Sequence, residues 1–431
     1  MVFAVPERPL LGKADIELVL ALTTANDPKR TFLSRLRILL SNILLGGCVV
    51  NSPNLKDWFK RLGIAAVVVS LIFVVLQLKQ TRQIDTEIDT YLIEQVKAAD
   101  IPGLAVAVVR NGSVIYSRAH GVRELGREEK LTSEHVFHFA SVSKPFVATA
   151  VVQLAEAGKL KLSDAVVKHL PYFLLADERH RDITIQQMLN HTSGMPDVED
   201  YQWDKPQLDD GAAERYVRTM VSERLLWAPG SDWAYSSMAF DVLGDLIAKV
   251  SGMSFEEYVR INILEPIGMN DSSFIYAEID EAFRTTGHVG DPARVSNVYP
   301  YNRRHAPSST LNSSVVEMTR WMLVNLNRGE LDGRRILRGE SHDLLWTPTT
   351  EKPADTVPMP HALEMGLSWG LGEHAGHRTV FHGGRDTGFR SYVVLLPDDG
   401  IGIVLASNWE QTDIRALARS ILDLILTFSD E

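Results

Sequence analysis

Residues 104–117 read Leu-Ala-Val-Ala-Val-Val-Arg-Asn-Gly-Ser-Val-Ile-Tyr-Ser. Leu104 to Arg110 and Val114 to Ser117 have strand character. Asn111-Gly112 between them tolerates two successive positive φ angles, so the stretch predicts a β-hairpin closed by a type I′ turn. A second hairpin signal stands near the other end of the chain: Ser391 to Leu396, a turn at Asp398-Asp399-Gly400, then Ile401 to Ala406. Apolar residues recur at helical spacing in Ile84 to Ala98 and again in Arg415 to Phe428. The chain between the two hairpins is mostly helical in pattern, broken by Gly- and Pro-marked loops. Strands at both ends with helices between predict an α+β fold. Its antiparallel sheet is built from both termini of one domain, residues 83–431, flanked by helices and carrying a helical subdomain.

Upstream of that domain, Leu62 to Leu78 reads LGIAAVVVSLIFVVLQL, interrupted only by Ser70 and Gln77. About 17 residues at helical rise reach the lower bound for crossing a hydrocarbon core, so 62–78 is expected to be a transmembrane anchor. Lys56, Lys60 and Arg61 precede it and Lys79 and Arg82 follow. That balance places residues 1–61 inside as a cytoplasmic or signal-like segment and the large domain outside, facing the periplasm or exterior. Cys48, the only cysteine, follows Leu45-Gly46-Gly47 in a loosely lipoprotein-like setting; it excludes an intrachain disulfide and a cysteine-based zinc site. The 13 histidines form no metal-binding spacing, so no metal is expected. A net charge of −11 argues against a broad nucleic-acid surface.

The chemistry centres on Ser141-Val142-Ser143-Lys144, followed directly by Pro145. Proline is tolerated in the first turn of a helix, and Phe146 to Ala157 is strongly helical in pattern, so the helix begins within a few residues of Ser141. Ser141 then sits at the positive end of a helix dipole, with Lys144 three residues on and on the same face. A serine hydroxyl needs a neighbouring base, and a partly desolvated lysine can supply one. Ser143 is the weaker candidate. Taken alone, Ser-x-x-Lys also fits an N-cap serine beside a solvated lysine. Two further segments add to it. Tyr235-Ser236-Ser237 stands at a loop-to-helix junction, where cationic neighbours such as Lys144 would lower the phenol's pKa. His382-Gly383-Gly384 stands just before the C-terminal hairpin, where two glycines on a strand would let a substrate approach the backbone.

The ordered set Ser-x-x-Lys, Tyr-x-Ser and His-x-Gly resembles the class C β-lactamase-related serine hydrolases. That family includes β-lactamases, D-alanyl-D-alanine carboxypeptidases, D-aminopeptidases and family VIII-type esterases. Met188 to Gly194, Trp227 to Ser237, Ser251 to Phe255 and Pro266 to Met269 resemble its connecting motifs. The likeness covers roughly residues 83 to 425. It implies the β-lactamase/DD-peptidase-like fold and an acyl-enzyme formed without a cofactor, on a small-molecule or peptide acyl substrate. Ser141 would be the nucleophile, with Lys144 and Tyr235 moving its proton. The backbone N–H groups of Ser141 and Arg385 would form the oxyanion hole. Ser237, His382, Gly383 and Gly384 would bind substrate, and His191, Trp227 and Trp233 would shape the walls. Ser237 stands where Asn is frequent, and His382-Gly383-Gly384 replaces Lys-Thr-Gly, removing a permanent cation. Both departures favour an esterase or D-amino-acid peptidase acting on uncharged acyl compounds over an efficient β-lactamase. Alternative expectations are a membrane-bound penicillin-binding sensor acylated without turnover and a structural scaffold.

Overall fold

The strand run at 104–109 carries no polar alternation because both of its faces are buried. Ala105, Ala107 and Val109 point into one apolar core, and Leu104, Val106 and Val108 into another. In the computed structural model, residues 80–351 and 362–428 are described. The strands of the main sheet are β1 (Gly103–Arg110), β2 (Ser113–Gly121), β3 (Thr350–Glu351), β4 (Glu364–Met365), β5 (Gly370–His374), β6 (His377–Asp386), β7 (Phe389–Leu396) and β8 (Ile401–Ser407). They form one sheet in the order β2-β1-β8-β7-β6-β5-β4-β3, antiparallel throughout. Both expected hairpins are present. Asn111 and Gly112 have φ of 50° and 73°, the two positive angles that a type I′ turn needs. The sequence reading stopped short of β3, β4 and β5, whose strands of two to five residues give too few positions for a period-2 pattern.

The sheet joins the two ends of the domain directly: Leu104 pairs with Ser407 and Arg110 with Ile401. One face is covered by a helix at residues 80–98 (α1), which contributes Ile84, Ile88 and Leu92, and by α5 (Ile414–Thr427), which contributes Ile414, Ile421 and Ile425. Against the other face lies the helical part, including α2 (Lys144–Glu156), α3 (Ser237–Ser251) and α4 (Val315–Leu326). Phe146 of α2 stacks on Trp321 of α4 with ring centroids 3.8 Å apart, both fully buried. Each such side chain contributes about 1.5–3 kcal/mol of apolar burial, and the stack locks α2, and with it residue 144, in place.

The membrane expectation is corrected. Among the described residues no helix is long and apolar enough to cross a membrane. The 62–78 run lies outside the described residues, as do Cys48 and the segment 1–61. Hydropathy of an isolated run carried that reading, and no element of the described fold carries it further.

Candidate functional site

Ser141 begins a single 3-10 turn, Ser141–Ser143, that runs straight into α2. The residue before it, Ala140, has φ 48° and ψ −132°, a conformation unfavourable for a residue with a Cβ. Neighbours hold it there. The Ser143 hydroxyl donates to the Ala140 carbonyl at 2.7 Å and accepts the Leu311 N–H at 2.9 Å, which gives Ser143 a structural role. Lys144 is fully buried; its Nζ donates to Ser141 Oγ at 3.0 Å and to the Ser308 carbonyl at 2.8 Å. Burial brings its ammonium down to about 8, while Asp197, Asp241 and Asp386 work in the opposite direction. The amine also lies 4.9 Å from the centroid of the Tyr235 ring.

Tyr235 comes from the loop before α3, and its hydroxyl faces that of Ser141. Its pKa departs from the sequence expectation. Burial pushes the phenol well above its usual range, and its contact with Ser141 offsets only part of that. Tyr235 is therefore a neutral phenol in the resting site, and the lowered pKa belongs to Lys144. His191 holds the tyrosine: the two rings stack at 4.4 Å, and His191 Nδ1 accepts the Ser236 N–H at 3.2 Å. His191 has φ 63°, and burial keeps it well below the usual imidazole range. Gly194 of the same loop has φ 78°, and a Cβ there would fall 2.5 Å from the Trp227 carbonyl oxygen. Trp233 packs edge-on against His191, and Trp227 donates within its own loop to the Asp232 carbonyl; both pack the wall.

The third wall is β6. His382 is buried, and its Nδ1 lies 2.9 Å from the Gly383 carbonyl, so Nδ1 carries the proton and Nε2 keeps a lone pair. Burial first, then the Lys144 charge, take this imidazole down to about 3. His382 is thus neutral at physiological pH and cannot neutralise a substrate charge. The two glycines differ in purpose. A Cβ on Gly384 would lie 2.1 Å from Ser391 Oγ and 2.2 Å from the Phe139 carbonyl oxygen. What approaches Gly384 is the turn carrying Ser141, not a substrate, and Ser391 Oγ fastens that turn to the sheet through the Phe139 carbonyl at 2.6 Å. At Gly383 an added Cβ would meet Tyr392 Cδ2 at 3.3 Å and would stand in ordinary contact with Arg415, at 3.6 Å from Nη2.

These parts meet at a cavity of about 410 Å³ that Ser141, Tyr235, Ser237, His382, Gly383, Gly384 and Arg385 all line. Further lining residues that the sequence did not mark as site candidates include Asp197, Tyr201, Arg390 and Arg415. Asp197 Oδ1 accepts the Ser237 N–H at 2.7 Å, while the Ser237 hydroxyl has no hydrogen-bond partner. Arg385 and Arg390 face each other across β6 and β7. Burial and the charges of Arg385 and Arg415 bring the Arg390 guanidinium down to about 10. Only Asp197 had a sequence signal, since it follows the Met188–Gly194 motif by three residues. The arginines become a cluster only through strand pairing and the docking of α5.

Comparison with known proteins agrees with this architecture. The chain is 29% identical over 316 residues to penicillin-binding protein 4 of Amycolatopsis lactamdurans, covering 72% of this chain and 81% of that one. It is 27% identical over 331 residues to protein flp of Staphylococcus aureus (strain COL), covering 76% of this chain; the match spans only 64% of that relative's length. The fold is shared with the octameric penicillin-binding protein homologue from Pyrococcus abyssi, at a TM-score of 0.70 and 24% identity over 79% of this chain and 77% of that one. It is also shared with a beta-lactamase/D-alanine carboxypeptidase from Pseudomonas syringae, at a TM-score of 0.66 and 19% identity over 80% and 99%. Residues 88–426 match the family described as Beta-lactamase, whose members are generally serine hydrolases. The chain belongs to the beta-lactamase family.

Proposed function

We propose that the protein is a serine hydrolase that cleaves an ester, amide or β-lactam bond through an acyl-enzyme on Ser141. The observation that carries this reading is the 3.0 Å hydrogen bond from a fully buried Lys144 amine, held near pKa 8, to the Ser141 hydroxyl. In the neutral form that amine accepts the Ser141 proton as Oγ attacks the acyl carbonyl. Tyr235, a neutral phenol in contact with the same hydroxyl, passes a proton to the leaving group and takes one back from Lys144. Charge on the carbonyl oxygen develops between the backbone N–H groups of Ser141 and Arg385. Water then cleaves the acyl-Ser141 ester, returning the acid and the free serine.

The cation that the residue at 382 does not supply is available from Arg385, Arg390 and Arg415, all at the cavity. This favours an acyl substrate that carries an anionic group, against the sequence expectation of an uncharged one. An ester or D-peptide remains the preferred bond type, since Ser237 offers a hydroxyl where an amide side chain would hold a β-lactam's own amide.

The test uses the full chain and Ser141→Ala side by side. Each is incubated with a short-chain p-nitrophenyl ester, a chromogenic cephalosporin, a D-Ala-D-Ala peptide and a fluorophosphonate, with intact mass followed over time. Turnover of one substrate, absent in Ser141→Ala, is the expected result. A permanent adduct on Ser141 without turnover would replace the hydrolase reading with a sensor. A folded chain that never labels would end the reading altogether.

A further inference from the structure

Close to the Lys144 amine, outside the cavity lining, lies a buried Asp–His pair that the reaction above does not use. Asp241 of α3 and His305 are 1% and 0% exposed, and His305 Nδ1 sits 2.7 Å from Asp241 Oδ2. The rest of the imidazole is enclosed by three aromatic rings, Tyr216 at 4.7 Å, Tyr201 at 4.9 Å and Trp203 at 5.8 Å. Its Nε2 has no hydrogen-bond partner. Taking a carboxylate out of water costs several kcal/mol, and an apolar side chain of equal volume usually serves a core better. The neighbours of Asp241 on α3 are of that apolar kind: Phe240, Val242 and Leu243 are fully buried. A core-filling role therefore does not account for the carboxylate.

Its surroundings do. Ser308 links the pair to the amine: its carbonyl accepts from Lys144 Nζ at 2.8 Å, and its hydroxyl donates to the His305 carbonyl at 3.3 Å, while Asp241 Oδ1 is left without a hydrogen-bond partner. Asp241 and Lys144 also feel each other's charge. We infer that Asp241 and His305 form a buried positioning pair, which through Ser308 holds the Lys144 amine against Ser141 and biases it toward the ammonium form. His305 fixes the carboxylate and holds Ser308 through its own carbonyl, the carboxylate favours the charged amine, and the Ser308 carbonyl aims one N–H away from the nucleophile. This inference rests on Lys144 acting as the base.

The amine is faced from other elements too. Asp197 and Asp386 add negative charge, while His191, His382 and Tyr235 lie close and are held neutral by burial. Asp241 itself is faced by His305, Ser308, Lys144 and Tyr216. Of the three carboxylates, Asp241 is the most deeply buried and, unlike Asp197, does not line the cavity, so its charge is little screened by salt.

The test is the pH dependence of fluorophosphonate labelling at Ser141 in the full chain, for wild type, Asp241→Asn, His305→Gln and the double variant. Losing the counter-charge makes the neutral amine available at lower pH. The acid limb should therefore move down by about one pH unit in Asp241→Asn. His305→Gln should move it the same way, because a carboxyl without its imidazole partner is more readily protonated. The double variant should move it no further than Asp241→Asn alone. Limbs that coincide with wild type, even at a lower rate, would overturn the inference, since a packing role changes amplitude and not the limb. If Asp241→Asn lacks a cooperative melt, the His305→Gln limb decides. Wild-type labelling that is lost in Ser141→Ala separates the outcomes. With it, unmoved limbs remove only the Asp241–His305 role; without it, the hydrolase reading falls first.

Discussion

Lys144 is pulled in two directions, by burial that favours the neutral amine and by three carboxylates that favour the ammonium. With burial ahead and the group near 8, acylation should rise about tenfold per pH unit below 8 and level off above it. The measurement is single-turnover labelling across pH 5–10. Lys144→Met should lose about 10²–10⁴-fold, and Lys144→Arg should not restore it, because a guanidinium stays protonated. His382 makes a separate prediction about stability. Its pKa is near 6.5 in the unfolded chain and about 3 in the folded one. Between those values the unfolded chain binds a proton that the folded chain does not, so stability falls as pH drops through that window. His382→Gln removes this term, and wild type should lose about 2 kcal/mol more than the variant between pH 7 and 5 in urea unfolding. Equal losses would mean that the imidazole is not buried as described. Ser141, Lys144 and Tyr235 were legible in the sequence because each is spaced against a local signal, a helix start or a loop-to-helix junction. Their charge states were not legible. Burial is a property of the assembled walls, and it reversed the expected direction at Tyr235.

At the scale of elements, much of the motif resemblance proves to be about ending and starting helices. Gly252 is the left-handed C-cap of α3, and Ser254 caps the next helix by accepting the Glu257 N–H. Gly268 ends another helix at φ 75°. These positions set where the helices stop, and none of them lines the cavity that holds Ser141. Gly384 is different, because two elements touch through it. Gly384→Ala should cost about 1–3 kcal/mol of stability and should reduce Ser141 labelling even in the folded fraction, since the turn before Ser141 must move. Ser391→Ala in the same chain removes one clash and leaves the Phe139 carbonyl, so only partial recovery is expected. Full recovery of labelling would show that the turn is not seated on β6. The sequence gives Gly384 no sign of this role, because the residues that crowd it lie at 139–140 and 391.

For the molecule as a whole, β8 occupies the middle of the sheet, between β1 and β7. A chain ending at Gly400 would leave β1 and β7 without a shared neighbour and would also lose α5 with Arg415. Its expected thermal melt by circular dichroism is non-cooperative, and a cooperative melt would show that the helical part folds on its own. The two hairpins made a sheet from both ends predictable. The cluster of Arg385, Arg390 and Arg415 in a chain of net charge −11 was not, because it exists only once β6, β7 and α5 are docked.

The same threading has a consequence for the protein's birth. Ser141 emerges from the ribosome some 240 residues before Gly384, the glycine on which its turn rests, and Leu104 waits for Ser407. Pairings this distant form late and slowly. On the proposed reading, the nascent chain therefore carries an unarmed serine through nearly all of its synthesis, and the Ser141 site is assembled only once the C-terminal strands have paired.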